Sequence, residues 1–213
     1  MNIDLLKQLC EMPGAPGHEH RVRALIEQEI KGLFDEVVTD PMGSLLCKRA
    51  ARKASDTPPL KIMLLCHMDE IAFLVSHISK EGFLSLQPIG GFDPRNLFSR
   101  RVLICTDNGD FKGVMNPGGK PIHISSPEER KKVPLPTEFL VDTGMGEDAK
   151  DHIQVGDFVV MDEPFIEIGS KVVSKALDNR IACWLGIEAM RALGDKGRGA
   201  EIHVAFTRQE EVG

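Results

Sequence analysis

Ile62-Met63-Leu64-Leu65-Cys66 is apolar without interruption and ends on His67, with Asp69 two residues further on. A short run with no polar residue on either face predicts a fully buried strand, the kind found inside a parallel sheet. In open α/β sheets, ligand-binding groups gather at the carboxyl ends of the strands. His67 stands at that end and is a candidate metal ligand. Asp69 is a candidate for its outer partner, because a ligating histidine usually donates its second N–H to a carboxylate or carbonyl. The same two residues also suit an ordinary loop, and this stretch alone does not choose between the readings.

On either side of this strand the pattern alternates between helix and strand. Ile3, Leu6, Leu9 and Cys10 recur at helical spacing and predict a helix over 3–11, broken by Pro13-Gly14-Ala15-Pro16-Gly17. A second helix is predicted from His18 to Gly32, with Val22, Leu25, Ile26 and Ile30 on one face. Val37–Thr39 and Leu45–Cys47 flank the turn Asp40-Pro41-Met42-Gly43 and read as a hairpin. Residues 50–59 read as an exposed loop. After Phe165 the alternation resumes. Val172-Val173 is a short strand, and a helix runs from Arg180 to Leu193 with Ala182, Leu185, Gly186, Ala189 and Leu193 as its apolar face. Gly194 ends that helix, Lys196–Gly199 is a turn, and Ile202–Phe206 is another buried strand. Its His203 reads as a packed residue rather than a ligand. As the chain's last strand it is expected to leave a bare sheet edge.

The texture differs between 71 and 163. Short β-rich runs at 71–78, 83–86, 102–106, 111–115, 138–141 and 158–161 are separated by turns, with one brief helix near 147–150. Asp107-Asn108-Gly109 is the clearest hairpin signal among them. Strands at such short spacing predict a small barrel. The expected organisation is an α/β domain built from residues 1–70 and 164–213, with 71–163 inserted as a β-barrel domain.

Composition narrows the function. A net charge of −6 over 213 residues argues against nucleic acid, whose binding needs a basic face. The densest basic run, Arg130-Lys131-Lys132, directly follows Glu128-Glu129 and reads as a solvated loop. No apolar run approaches the ~20 residues of a membrane span, and the first residues lack the pattern of a signal peptide. The five cysteines are scattered without a C-x-x-C pair, which suits reduced thiols in the cytoplasm and makes them poor candidates for metal ligands.

His67 ends one predicted strand, Asp178 begins a predicted helix, and Glu210-Glu211 follow another strand. All would meet on one rim of the sheet. Adjacent carboxylates can divide labour, one binding a metal while the other stays free as a base. Taken singly, Asp178 is equally a helix N-cap and Glu210-Glu211 a charged surface turn.

Four motifs carry a resemblance. Pro13-Gly14-Ala15-Pro16-Gly17-His18-Glu19, His67-Met68-Asp69-Glu70, Ala176-Leu177-Asp178-Asn179-Arg180 and Gln209-Glu210-Glu211-Val212-Gly213 resemble, in order, motifs of the tetrahedral (TET-type) metal-dependent aminopeptidases. That group includes glutamyl and deblocking aminopeptidases, and some relatives carry the name endoglucanase. The resemblance implies a doubly wound mixed sheet of the zinc-aminopeptidase type, incomplete at its carboxyl end, with an inserted barrel used in self-association. It implies peptide substrates and two divalent metal ions, zinc or cobalt. His67 would bind one ion, Glu211 the other, and Asp178 would bridge them. Glu210 would be the general base and Asp69 would orient His67. A cis peptide at Asp178–Asn179 is also implied.

Two further ligands of the family pattern, an Asp and a His, would lie beyond Gly213. The chain is therefore expected to supply three of five protein ligands, to hold metal incompletely and to show no turnover by itself. The rival expectation is an inactive assembly scaffold. A carbohydrase is a weaker third reading, since there is no Tyr and Trp184 is the sole Trp.

Overall fold

The computed structural model describes residues 1–52, 58–194, 196 and 199–213. The loop expected over 50–59 and the turn over 196–199 therefore fall partly outside the described residues. Two units divide the chain, one made of 1–70 and 164–213 and the other of 71–163.

The first unit begins with two helices, α1 (Ile3–Glu11) and α2 (His20–Glu29). Asn2 caps α1 by accepting the amide of Leu5. Leu5, Leu6, Leu9 and Cys10 of α1 and Val22, Leu25 and Ile26 of α2 are buried. β1 (Glu36–Thr39) and β2 (Leu45–Arg49) form the expected antiparallel hairpin. β3 (Leu60–His67) follows and carries the apolar run.

The second unit is a closed barrel. Its strands are β4 (Ala72–Ile78), β5 (Leu84–Ile89), β6 (Arg100–Thr106), β7 (Gly109–Pro117), β8 (Phe139–Asp142) and β9 (Phe158–Met161). Around the barrel they run β4-β5-β8-β7-β6-β9. The short helix α3 (Ala149–His152) precedes β9. Alternation along the strands points Phe73, Val75, Leu84, Leu86, Val102, Ile104 and Val141 inward to a shared core. The turn between β6 and β7 has Asp107 and Asn108 at its tip. Gly109 is the first residue of the returning strand, at φ +132°.

Back in the first unit lie β10 (Ile166–Ile168) and β11 (Lys171–Val173), an antiparallel pair of their own. Then come α4 (Leu177–Leu193) and β12 (Ala200–Thr207). The main sheet has the order β1-β2-β12-β3, with β12 antiparallel to β2 and parallel to β3.

Three expectations are corrected here. β12 is an interior strand, paired on both sides, and the edges of the sheet are β1 and β3. Most of β3 is consequently exposed, with Leu60, Met63 and Leu65 each more than half accessible. Only Cys66 and His67 at its end are buried. An apolar run reports what a strand prefers, whereas burial also requires a neighbour on each side. The inward face of α4 is also rotated from the expected one. It presents Arg180, Cys183, Trp184, Gly186, Ile187 and Met190; of the expected face Gly186 is buried and Ala182 and Leu193 are partly buried against the core, while Leu185 is exposed. The helix is apolar nearly all round, so periodicity alone could not select the stripe. His203 is half-buried and pairs with Glu201 at 2.9 Å.

Gly82, in the turn between β4 and β5, has φ +88°, and a Cβ there would lie 1.8 Å from the carbonyl oxygen of Gly146. Gly82→Ala is therefore expected to destabilise the barrel by at least about 2 kcal/mol. Gly119→Ala meets nothing within 4 Å and should be close to neutral. Chemical denaturation of both variants checks the contrast.

Candidate metal centre

β3 and β12 run in parallel register, with Phe206 opposite Cys66 and Thr207 opposite His67. Their carboxyl ends therefore open on the same rim. The Met68 amide donates to the Thr207 carbonyl at 2.8 Å and extends the pairing by one step. Beyond β12, Gln209 adopts a left-handed conformation (φ +59°), and Glu210–Val212 forms a single 3-10 turn.

Asp69 fixes that turn. Its side chain is fully buried. Oδ1 accepts the Glu210 amide at 3.1 Å and Oδ2 accepts the Glu211 amide at 3.0 Å. Burial alone would raise the Asp69 pKa. The His67 ring and the amides of Glu211 and Glu210 outweigh that and hold it below the ordinary carboxylate value. The expected partnership with His67 is thus only part of its role. His67 Nδ1 lies 3.1 Å from the backbone carbonyl oxygen of Asp69 and 3.5 Å from its carboxylate.

A carbonyl oxygen can only accept, so Nδ1 carries a proton and Nε2 is left for the rim. Nε2 lies 3.2 Å from Asp178 Oδ1 and 3.8 Å from Glu210 Oε2. Asp178 reaches this point from the first turn of α4. There Ala176 is left-handed, Asp178 and Asn179 are non-helical, and the Asp178–Asn179 peptide is cis. Asp178 does not cap α4; Ala176 occupies the N-cap position.

The donor set suits a divalent cation. His67, Glu210 and Glu211 each present a ligand atom, all within 4.8 Å of one another. The 3.2 Å between His67 Nε2 and Asp178 Oδ1 matches the ~3.3 Å edge of a tetrahedron with bonds of ~2.0–2.1 Å. An Nε2 lone pair facing a carboxylate oxygen at that distance needs a proton or a cation between them. Burial raises the Glu211 pKa. His67 opposes the rise, while the charges of Glu210, Asp69 and Asp178 add to it. Imidazole and carboxylate donors are those that zinc and its neighbours accept.

Glu70 and Arg180, which sequence reasoning left without roles, build the floor beneath this rim. Glu70 pairs with Lys175 Nζ at 2.7 and 2.9 Å and lies 3.6 Å from the Arg180 guanidinium. Arg180 is fully buried and donates to the carbonyls of Leu9 and Met12. Glu70 also makes two contacts with Gly14, its carboxylate accepting the Gly14 amide and its own backbone amide donating to the Gly14 carbonyl. A Cβ on Gly14 would fall 2.8 Å from the Arg180 guanidinium and 2.9 Å from Val22. Lys175 and Arg180 flank Asp178 in sequence, and that spacing was the one available signal.

Residues 43–213 match the family model of the M42 glutamyl aminopeptidases. The chain belongs to that family. Lysyl aminopeptidase of Pyrococcus furiosus, a relative, is 31% identical over 99% of this chain and 60% of its own length. A TET aminopeptidase structure from the marine sediment archaeon Thaumarchaeota archaeon SCGC AB-539-E09 superposes with a TM-score of 0.88 at 35% identity, covering 99% of this chain and 60% of that one. The TET1 peptidase of Pyrococcus horikoshii, which can assemble into a tetrahedron or a large octahedral shell, superposes with a TM-score of 0.84 at 30% identity, covering 99% and 62%. This M42 chain spans about 60% of the length of the curated relatives it resembles, from 56% to 62%. Among the described residues no helix is long and apolar enough to cross a membrane.

With divalent ions chelated, His67 in the M42 chain should behave as an imidazolium. Burial pulls its pKa down, but the Asp69 hydrogen bond, the charges of Asp69 and Glu210 and the contact with Asp178 together raise it to about 9. A folded pKa above the ordinary 6.5 means the charged ring stabilises the fold fully below pH 6.5. That contribution is lost as the pH rises through about 9. The melting-temperature gap between wild type and His67→Gln in chelator is expected to shrink between about pH 6 and about pH 9.5. A constant gap would contradict the assignment.

Proposed function

We propose that this chain carries the metal-binding rim of an aminopeptidase that removes amino-terminal residues from peptides with two divalent ions, zinc or cobalt. The observation that carries the reading is His67 Nε2, turned by the Asp69 carbonyl toward Asp178 and the Glu210–Glu211 pair. In this reading His67, Asp178 and Glu211 would be the residues of this chain that hold the ions. Such ions, when bound, lower the pKa of a water and polarise the scissile carbonyl.

The chain's own residues supply the rest. Glu210 has the more accessible carboxylate of the pair, its side chain 60% exposed, and is the group to take a proton from an attacking water and return it to the leaving amine. Asp69, fully buried and engaged with two amides, holds the pair in place and is not itself available as a base. A sugar substrate is disfavoured. Trp184 is buried with its indole N–H on the Asn2 carbonyl, so it offers no stacking platform.

Self-association through residues 71–163 belongs to the same proposal. Its supports are the shells formed by the Pyrococcus horikoshii relative and the exposed apolar side chains of Ile122, Ile124 and Leu135. Five buried cysteines, none joined in a disulfide, support a reducing cytoplasm. Peptide substrates are proposed on the family likeness, with neither nucleic acid nor membrane as a partner.

Cobalt titration tests the reading. Wild-type chain is expected to develop visible d–d absorption with a defined stoichiometry, and His67→Ala and Asp178→Ala to weaken it at least about tenfold. Glu210→Gln should keep cobalt. Where aminoacyl-anilide hydrolysis is measurable, that variant should lower turnover by about a hundredfold or more. Cobalt uptake that is absent, or indifferent to His67→Ala, would overturn the proposal.

A further inference from the structure

The amino-terminal motif ending in Glu19 has no part in the chemistry proposed above, yet Glu19 is as deeply buried as Asp69. Glu19 occupies the N-cap position of α2 but makes no side-chain cap to its own helix. Its Oε1 accepts the Gly17 amide at 2.9 Å and the Gln209 amide at 3.1 Å. Its Oε2 pairs with the guanidinium of Arg208. Arg208 in turn donates to the carbonyls of Gly17 and Met42.

Three consecutive amides, those of Gln209, Glu210 and Glu211, are thus all taken by buried carboxylates. Glu19 holds the first and Asp69 the other two. The two carboxylates come from different parts of the chain, one from the loop before α2 and one from the end of β3. A left-handed Gln209 is needed to aim the three amides in this way, and such a conformation is costly without a side-chain or backbone partner to hold it. Arg208 balances the charge that Glu19 brings inside.

We infer that Glu19, with Arg208, is a positioning residue for the carboxylate pair. It locks the Gln209 turn so that Glu210 and Glu211 face His67. This rests on the metal-site reading above for its consequence, but the lock itself is a property of the metal-free fold.

Amide hydrogen exchange and cobalt spectroscopy on the 213-residue chain test it together. In Glu19→Gln, exchange at residues 209–211 is expected to rise at least about tenfold while amides in α1 and the interior of β12 stay within about twofold. The cobalt d–d band is expected to shift, and the apparent affinity to fall about tenfold. Arg208→Lys keeps the charge but loses the planar fork, and should raise exchange at the same three amides by a smaller factor. It also decides the matter if Glu19→Gln does not fold. Exchange at 209–211 within twofold of wild type in both variants overturns the inference. So does raised exchange with an unchanged cobalt spectrum and affinity. Wild-type chain that takes up no cobalt counts against the metal reading instead, and the exchange comparison then decides the positioning role alone.

Discussion

The first unit depends on one buried carboxylate, Asp69, accepting two successive amides from a turn 141 and 142 residues away in sequence. Hydrogen bonds to a charged acceptor contribute about 1.5–3 kcal/mol each, roughly twice the neutral value. Removing the acceptor would leave two inward-pointing amides unpaired. The same residue's backbone carbonyl sets the tautomer of His67. A single position at the end of β3 therefore fixes both the imidazole on one strand and the carboxylate pair after the other. The parallel register of β3 with β12 brings the two strand ends together, and Asp69 sets their geometry.

Around that contact, buried charge is arranged in balanced groups. Glu70 faces Lys175 and Arg180, and Glu19 faces Arg208. Both carboxylates also bind the Pro13–Glu19 loop, Glu70 through Gly14 and Glu19 through Gly17. The loop is a strut between the ends of β3 and β12. Breaking one partner of such a buried pair costs more than the pair contributes, because a charge is left without compensation. This gives a physical reason for glycines in the strut, since a Cβ on Gly14 would intrude on Arg180.

Much of the architecture was legible because it is written in local periodicity. Short β-rich runs between turns marked all six barrel strands, and the change of texture near residue 71 coincides with a unit boundary in the structure. What stayed hidden depends on partners distant in sequence. The exposure of β3 follows from its edge position, which an apolar run cannot encode. The inward stripe of α4 was ambiguous because both of its faces are apolar, and a buried Arg180 marks the true one. At the site, His67, Asp178, Glu210 and Glu211 were identified by residue type and placement, and the structure brings them to one rim. The amides that the Asp69 and Glu19 carboxylates accept were invisible in the sequence, because every residue but proline possesses one, and the pairing of Glu19 with Arg208 spans 189 residues.

Anomalous scattering from crystals grown with zinc tests the central claim most directly. The account predicts a peak about 2.0–2.2 Å from both His67 Nε2 and a carboxylate oxygen of Asp178. Asp69 should still be seated on the amides of Glu210 and Glu211. Zinc bound elsewhere, or an Asp69 carboxylate that has left those amides to become a ligand itself, would contradict it.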